Sequence, residues 1–222
     1  MKIKGAIFDC DGTLVDSLGF WETLYEKIGE RYFDNNFHID PADDRAMRTQ
    51  NIHFLARLLH EKYGVAESIE ELRAFAEEIL TWFYAEAADL KPGVRELLAF
   101  WKSKNVRMCI ASASEVHSIR MVLGRHGVLE YFEDIIPCTS VGVGKDKPDV
   151  FYAAEKFLGT PHEQTFVLED SMLAIETAKK AGFPVVGIYD KHTFGQERAR
   201  ELSDIYIEQD GSFAELIPLF ED

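Results

Sequence analysis

The feature that most constrains this chain is a recurring local pattern. Short apolar runs, at residues 4–8, 106–111, 135–136, 165–168 and 185–188, each break off at polar or turn-forming residues. Runs of that length bounded by turn signals read as strands buried on both faces. Between them lie apolar stripes at helical spacing: Val94, Leu97, Leu98 and Trp101; Val116, Ile119 and Leu123; Phe151, Ala154 and Leu158; Ala174, Ile175, Ala178 and Ala181. Strands alternating with helices from Lys91 onward predict βαβ units, and therefore a parallel sheet. Pro92 suits the first turn of the first of these helices. Ser114 reads as the cap of the helix that carries Val116, and Gly182 as the C′ residue that closes the last one.

The first run carries the most chemistry. It reads Ala6-Ile7-Phe8 and then Asp9-Cys10-Asp11-Gly12-Thr13. Open parallel sheets bind ligands beyond the carboxyl ends of their strands, which is where Asp9 falls. Side chains alternate along extended backbone, so Asp9 and Asp11 can point one way while Cys10 points another. Gly12 permits a turn that other residues resist. Two carboxylates on one side of a turn suit a hard cation, and Mg²⁺ is the usual occupant. The blander reading is an ordinary turn, since Asp and Gly are common turn residues. Polar groups at the other strand ends weigh against it: Ser112, Lys145, and Glu169 with Asp170. Such ends converge in space on one edge of a parallel sheet. Together they supply a nucleophile candidate, a metal cage, a hydroxyl and a cation, the parts that phosphoryl transfer needs. Alternatives remain at single positions. Ser112 could begin a turn, Lys145 competes with Lys147, and Glu169-Asp170-Ser171 could be a helix start. Asp16 and Ser17 read as hinge or cap residues.

Residues 17–89 contain no convincing strand. Trp21, Leu24, Tyr25 and Ile28, then Ile52, Leu55, Ala56 and Leu59, then Leu72, Ala76, Ile79 and Phe83 recur at helical spacing. The organisation is therefore a doubly wound α/β core of residues 1–16 and 90–222 with a small helical cap, residues 17–89, inserted after the first strand. A length of 222 residues accommodates both. The net charge of −15 disfavours nucleic acid and anionic membrane as partners. Three cysteines without metal-ligand spacing argue against a disulfide framework, and the seven histidines show no clustering suited to zinc. No signal segment or membrane-length apolar stretch is visible, so a cytoplasmic protein is expected, as a monomer or weak dimer.

The ordered set Asp9-x-Asp11-Gly12-Thr13, Ser112, Lys145-x-x-Pro148-Asp149-x-Phe151 and Glu169-Asp170-Ser171 resembles the haloacid dehalogenase superfamily over essentially the whole chain. The helical insert resembles the subgroup that includes phosphoglycolate phosphatase and β-phosphoglucomutase. That resemblance implies that Asp9 attacks phosphorus and forms an aspartyl-phosphate, while Asp11 protonates the leaving oxygen and later activates water. It implies Mg²⁺ held by the Asp9 side chain, the Asp11 backbone carbonyl and Asp170, with Glu169 in or near the surrounding shell. Ser112 and Lys145 would bind the phosphoryl oxygens, and the spacing to Pro148 selects Lys145 over Lys147. Small phosphorylated metabolites are the implied substrates. Mutase relatives carry a histidine in the first cap helix, where this chain reads Phe20-Trp21-Glu22, so hydrolysis is favoured over mutase action. Phe20, Trp21 and Arg48 are candidates for cap residues facing the core. A phosphoacceptor or regulatory binding module is the alternative from a different class, and Asp11 argues against it because it supplies the base that discharges the intermediate.

Overall fold

The computed structural model describes residues 1–48 and 52–220. In chain order the elements begin with strand β1 (Gly5–Phe8) and helices α1 (Phe20–Tyr32), α2 (Pro41–Met47), α3 (Ile52–Tyr63) and α4 (Ile69–Trp82), the last running into a π-helical turn, Phe83–Ala87. There follow α5 (Val94–Ser103), β2 (Arg107–Ser112), α6 (Val116–Arg125), β3 (Ile135–Pro137) and α7 (Asp149–Leu158). The chain continues through β4 (Thr165–Glu169), α8 (Met172–Lys180), β5 (Val185–Ile188), α9 (Gln196–Leu202), β6 (Ile205–Ile207) and a 3₁₀ segment, Phe213–Phe220. The chain divides into two compact units, one of Met1–Ser17 with Ala88–Asp222 and one of Leu18–Ala87.

In the first unit all six strands are parallel, in the order β3-β2-β1-β4-β5-β6. The sheet is the doubly wound α/β arrangement that the alternating pattern predicts. Its first strand is central, and the chain order reverses between β1 and β4. In sheets of this order that switch point opens the ligand crevice. Register sets the height of the site. Phe8 lies opposite both Ile110 and Leu168, so Asp9 and Glu169, each one residue further on, emerge level with one another.

Both faces of the sheet are covered, which is why β1, β4 and β5 are buried at every position. On one face Ile7, Cys109, Val167 and Val185 pack against Phe151, Ala154 and Leu158 of α7 and Ile175 and Ala178 of α8. On the other, Phe8 packs at a tilt against Trp101 and edge-on against Phe132, while Trp101 and Phe166 both meet Phe220 edge-on. Neighbours in β1 thus anchor opposite layers, as the two-residue repeat of a strand requires.

The described residues of the second unit form four α-helices around Leu24, Ile28, Met47, Leu55, Ala56, Leu59, Leu72 and Ala76, all buried. Asp40 caps α2 by accepting from Ala42 N, with Pro41 at the first helical position, and Ser68 caps α4 by accepting from Glu71 N. Arg48 donates to both oxygens of Asp44 and lies over the Trp21 ring, and Phe20 meets Trp21 and Phe83 edge-on.

Two local expectations are corrected, and one strand is not anticipated by the sequence pattern. Pro92 lies outside α5, whose N-cap is Gly93 at φ +77°. A Cβ at Gly93 would fall 2.5 Å from Ala214 N, so the segment crossing there leaves room only for glycine. Ser114 does not cap α6, whose N-cap is Glu115; the Ser114 hydroxyl is committed elsewhere. Strand β6 has only three residues, on the sheet edge, too short for its alternation to stand out in the sequence. No helix among the described residues is long and apolar enough to cross a membrane.

Candidate active site

Asp9 is the first residue beyond β1, and its N–H still donates to Leu168 O at 2.9 Å, so its position is fixed by the sheet. The chain then turns tightly: Leu14 N and Val15 N both donate to Cys10 O, and Gly12, at φ +80°, donates to Val15 O. That turn separates the two carboxylates. Asp9 faces Lys145, whose ammonium lies 2.5 Å from Asp9 Oδ1 and 2.7 Å from Glu169 Oε1. The Asp11 carboxylate is instead taken by two hydroxyls, Ser17 Oγ on Oδ1 and Ser114 Oγ on Oδ2, each at 2.6 Å.

β4 supplies the other half. Glu169 spends Oε1 on Lys145, and its Oε2 accepts from the N–H groups of Asp170 and Ser171 at 2.8 and 3.1 Å, closing the turn into α8. Asp170 has one hydroxyl on each oxygen, Thr13 on Oδ1 at 2.9 Å and Thr193 on Oδ2 at 2.6 Å. Ser112 ends β2 one strand away; it is buried, and its Oγ accepts from Ser114 N at 3.1 Å. Of the competing lysines, Lys145 reaches Asp9, while Lys147 and Asp146 are exposed. Asp16 is exposed as well.

Asp9, Glu169 and Asp170 each place a carboxylate oxygen within 4.8 Å of the others. All three are buried, and Lys145 is the cation bonded to two of them. Three carboxylates and one ammonium leave a surplus of two negative charges, which a dication with a preference for oxygen ligands fits. The electrostatics reflect that surplus. Burial pushes the Asp9 carboxyl up to about 7, assisted by Glu169 and Asp11 and opposed by Lys145. Burial, with Glu169 and Asp9 nearby, also raises Asp170 well above the usual carboxylate range. Burial alone would lower Lys145, but Asp9 and Glu169 outweigh it and hold the ammonium charged. Cys10, between the two aspartates, is buried and its thiol is pushed up by desolvation, so it is a packing residue and not a nucleophile.

The sequence pattern does not point to Thr193, and it marks Ser17 and Ser114 only as hinge or capping residues. A hydroxyl in a loop carries no signal of its own. Asp190 is different. It lies two residues past β5, is buried, and forms an ion pair with Lys91 at 2.8 Å, so the rule that picked out Asp9 and Asp170 applied to it too.

A sequence model of the haloacid dehalogenase-like hydrolases matches residues 3–182, most of the chain. The chain belongs to this family. The matched span holds Asp9, Asp11, Ser112, Lys145, Glu169 and Asp170, and it ends before Asp190 and Thr193. Among curated proteins this hydrolase is 27% identical to a phosphorylated carbohydrates phosphatase of Thermotoga maritima, with 81% of this chain and 82% of that protein covered. It is also 27% identical to the β-phosphoglucomutase of Bacillus subtilis, over 84% of this chain and 83% of that one. The crystal structure of CbbY from Rhodobacter sphaeroides in complex with phosphate superposes with a TM-score of 0.75 at 25% identity, covering 96% of both chains.

Proposed function

We propose that this hydrolase is a Mg²⁺-dependent phosphatase acting on small phosphorylated metabolites through an aspartyl-phosphate on Asp9. The observation that carries the reading is the division of labour between the two aspartates. One is bonded to a cation and grouped with two further carboxylates, whereas the other is oriented by neutral hydroxyls. The first environment suits a nucleophile that must meet an anion; the second suits a group that exchanges protons.

Asp9, Asp170 and the Asp11 backbone carbonyl are the groups that would hold Mg²⁺, with Glu169, whose oxygens are taken by Lys145 and two backbone N–H groups, in or near the surrounding shell, and the ion would neutralise charge on the phosphoryl oxygens. The chain's own residues do the rest. Lys145 offsets repulsion between Asp9 and an incoming dianion. An Asp9 oxygen attacks phosphorus in line with the leaving group, forming the Asp9–phosphorus bond as the ester P–O bond breaks. Asp11 gives its proton to the departing oxygen. It then takes one from a water whose oxygen attacks phosphorus, releasing phosphate and restoring the Asp9 carboxylate. Ser112 binds a phosphoryl oxygen. No disulfide joins Cys10, Cys109 and Cys138, in keeping with action in the cytoplasm.

The likeness to the Bacillus mutase supports a second reading, phosphomutase action. Helix α1, with the sequence FWETLYEKIGERY, has no histidine, and this favours hydrolysis. Incubation with a panel of phosphate esters, with free phosphate and sugar-phosphate isomers followed by NMR, decides between them. Isomerised hexose phosphate accumulating without free phosphate overturns the hydrolase reading.

A further inference from the structure

Asp170 is held from two sides, and both sides lead to one lysine. Its Oδ1 takes the hydroxyl of Thr13, in the turn after β1, and its Oδ2 takes that of Thr193, in the loop after β5. Thr193 does not stand there by itself. Its N–H donates to Asp190 O at 3.1 Å, the His192 N–H donates to Asp190 Oδ1 at 2.8 Å, and the Gln196 side chain donates to the backbone oxygens of both Asp190 and Thr193. The remaining Asp190 oxygen accepts from Lys91 Nζ at 2.8 Å, and the same ammonium donates to Tyr189 O at 2.8 Å. Lys91 and Asp190 are 11% and 1% exposed at their side chains, so the pair is shielded from water. Lys91 N in turn donates to Leu14 O, beside Thr13. One residue therefore braces both arms of a hydroxyl clamp.

We infer that Thr193 is a positioning residue for the metal-binding carboxylate of Asp170, and that the Lys91–Asp190 pair holds Thr193 in place. The inference rests on the Mg²⁺ reading given above. A hydroxyl on an ionised carboxylate makes a strong, short bond that fixes the rotation of the group. It leaves the other lone pairs of each oxygen for a cation. Mg²⁺ demands near-ideal octahedral geometry, so a carboxylate free to swing binds it less well.

The test is calorimetric titration of Mg²⁺ into metal-stripped, full-length protein at fixed pH, with melting temperatures measured alongside. Thr193→Val keeps the shape and removes the hydroxyl; Thr193→Ser keeps the hydroxyl. The expected result is a Kd for Mg²⁺ raised at least about tenfold in Thr193→Val and restored in Thr193→Ser, the usual cost of losing a partner to a ligating group. Asp190→Asn, which breaks the charge pair and keeps the size, should weaken Mg²⁺ in the same direction. In activity assays the Mg²⁺ concentration for half-maximal rate should rise in Thr193→Val while kcat at saturating Mg²⁺ recovers. An unchanged Kd in Thr193→Val overturns the inference, including the case where only its melting temperature falls, since that marks a purely structural threonine. If the wild-type protein itself binds no Mg²⁺, the metal reading fails and takes the inference with it.

Discussion

Ser114 Oγ sits 2.6 Å from Asp11 Oδ2, joining the turn after β1 to the segment after β2 across 103 positions of sequence. With Ser17 on the other oxygen, the Asp11 carboxylate cannot rotate without losing a bond. General acid–base transfer depends on geometry before acidity. Ser114→Ala is therefore expected to lower kcat about tenfold, with KM changed less. Replacing Ser17 as well should cost more than either single change. Steady-state kinetics on the best substrate of the panel check this, and an unchanged kcat in the double variant would show that Asp11 needs no such support.

Asp9→Asn should abolish turnover, by about 10⁴-fold or more, because an amide does not attack phosphorus. A soluble variant with full activity contradicts the nucleophile assignment.

The same substitution should also stabilise the metal-free fold, and the sign follows from burial. The Asp9 carboxyl titrates near 7 in the folded protein against 3.8 for an ordinary aspartate, so the native state favours the protonated form. Its contribution to stability is fully present below about pH 4 and is lost as pH rises towards 7. In EDTA the wild-type melting temperature should lose ground to that of Asp9→Asn across this window. Near neutrality the variant should be more stable by roughly 2 kcal/mol. Parallel melting curves for the two proteins from about pH 4 to 7 would remove Asp9 as the cause.

Lys145→Ala should lose roughly 10²–10³-fold in kcat/KM, and Lys147→Ala less than about twofold. The ammonium of Lys145 bridges two buried carboxylates, where a charge counts for more than it does in water, whereas Lys147 is solvated. The opposite ranking would move the phosphate-binding cation two residues along.

Activity should vanish in excess EDTA and return with Mg²⁺, with Ca²⁺ a poor substitute. Ca²⁺ takes longer bonds and more ligands, and would shift the attacking carboxylate. Phosphate release that continues undiminished in EDTA overturns the cation requirement.

The parts of the molecule legible in its sequence are those where a local pattern and a buried environment agree. β1, β2, β4 and β5 are buried on both faces, so their apolar runs are unbroken and their ends stand out, and Asp9, Ser112, Glu169 and Asp170 could be placed by that contrast alone. β6 sits at the sheet edge with only Ile207 buried, so nothing in it marks a strand. The hydroxyl partners are harder for another reason. Ser114 is as good a helix cap as it is a donor to Asp11, and only the fold decides which bond it makes. Thr193 reaches Asp170 from a loop whose path depends on a lysine 99 positions before its aspartate partner. Asp190 was within reach, because it breaks off an apolar run as Asp9 does.

The central place of β1 also bears on how the protein comes into being. Asp9 is made 136 positions before its lysine, and the turn beside it waits 157 positions for Asp170. During synthesis, at about 5–20 residues per second, Asp9 spends roughly 7–27 seconds without the lysine it pairs with in the folded chain. Contacts this distant make folding slow, because loop closure must precede any gain from them. A nascent chain stopped before β4 therefore exposes a half-sheet whose central strand lacks one neighbour, a free edge open to another chain. Until β4 arrives, the strand that ends at Asp9 is an uncovered sheet edge and a place for mispairing.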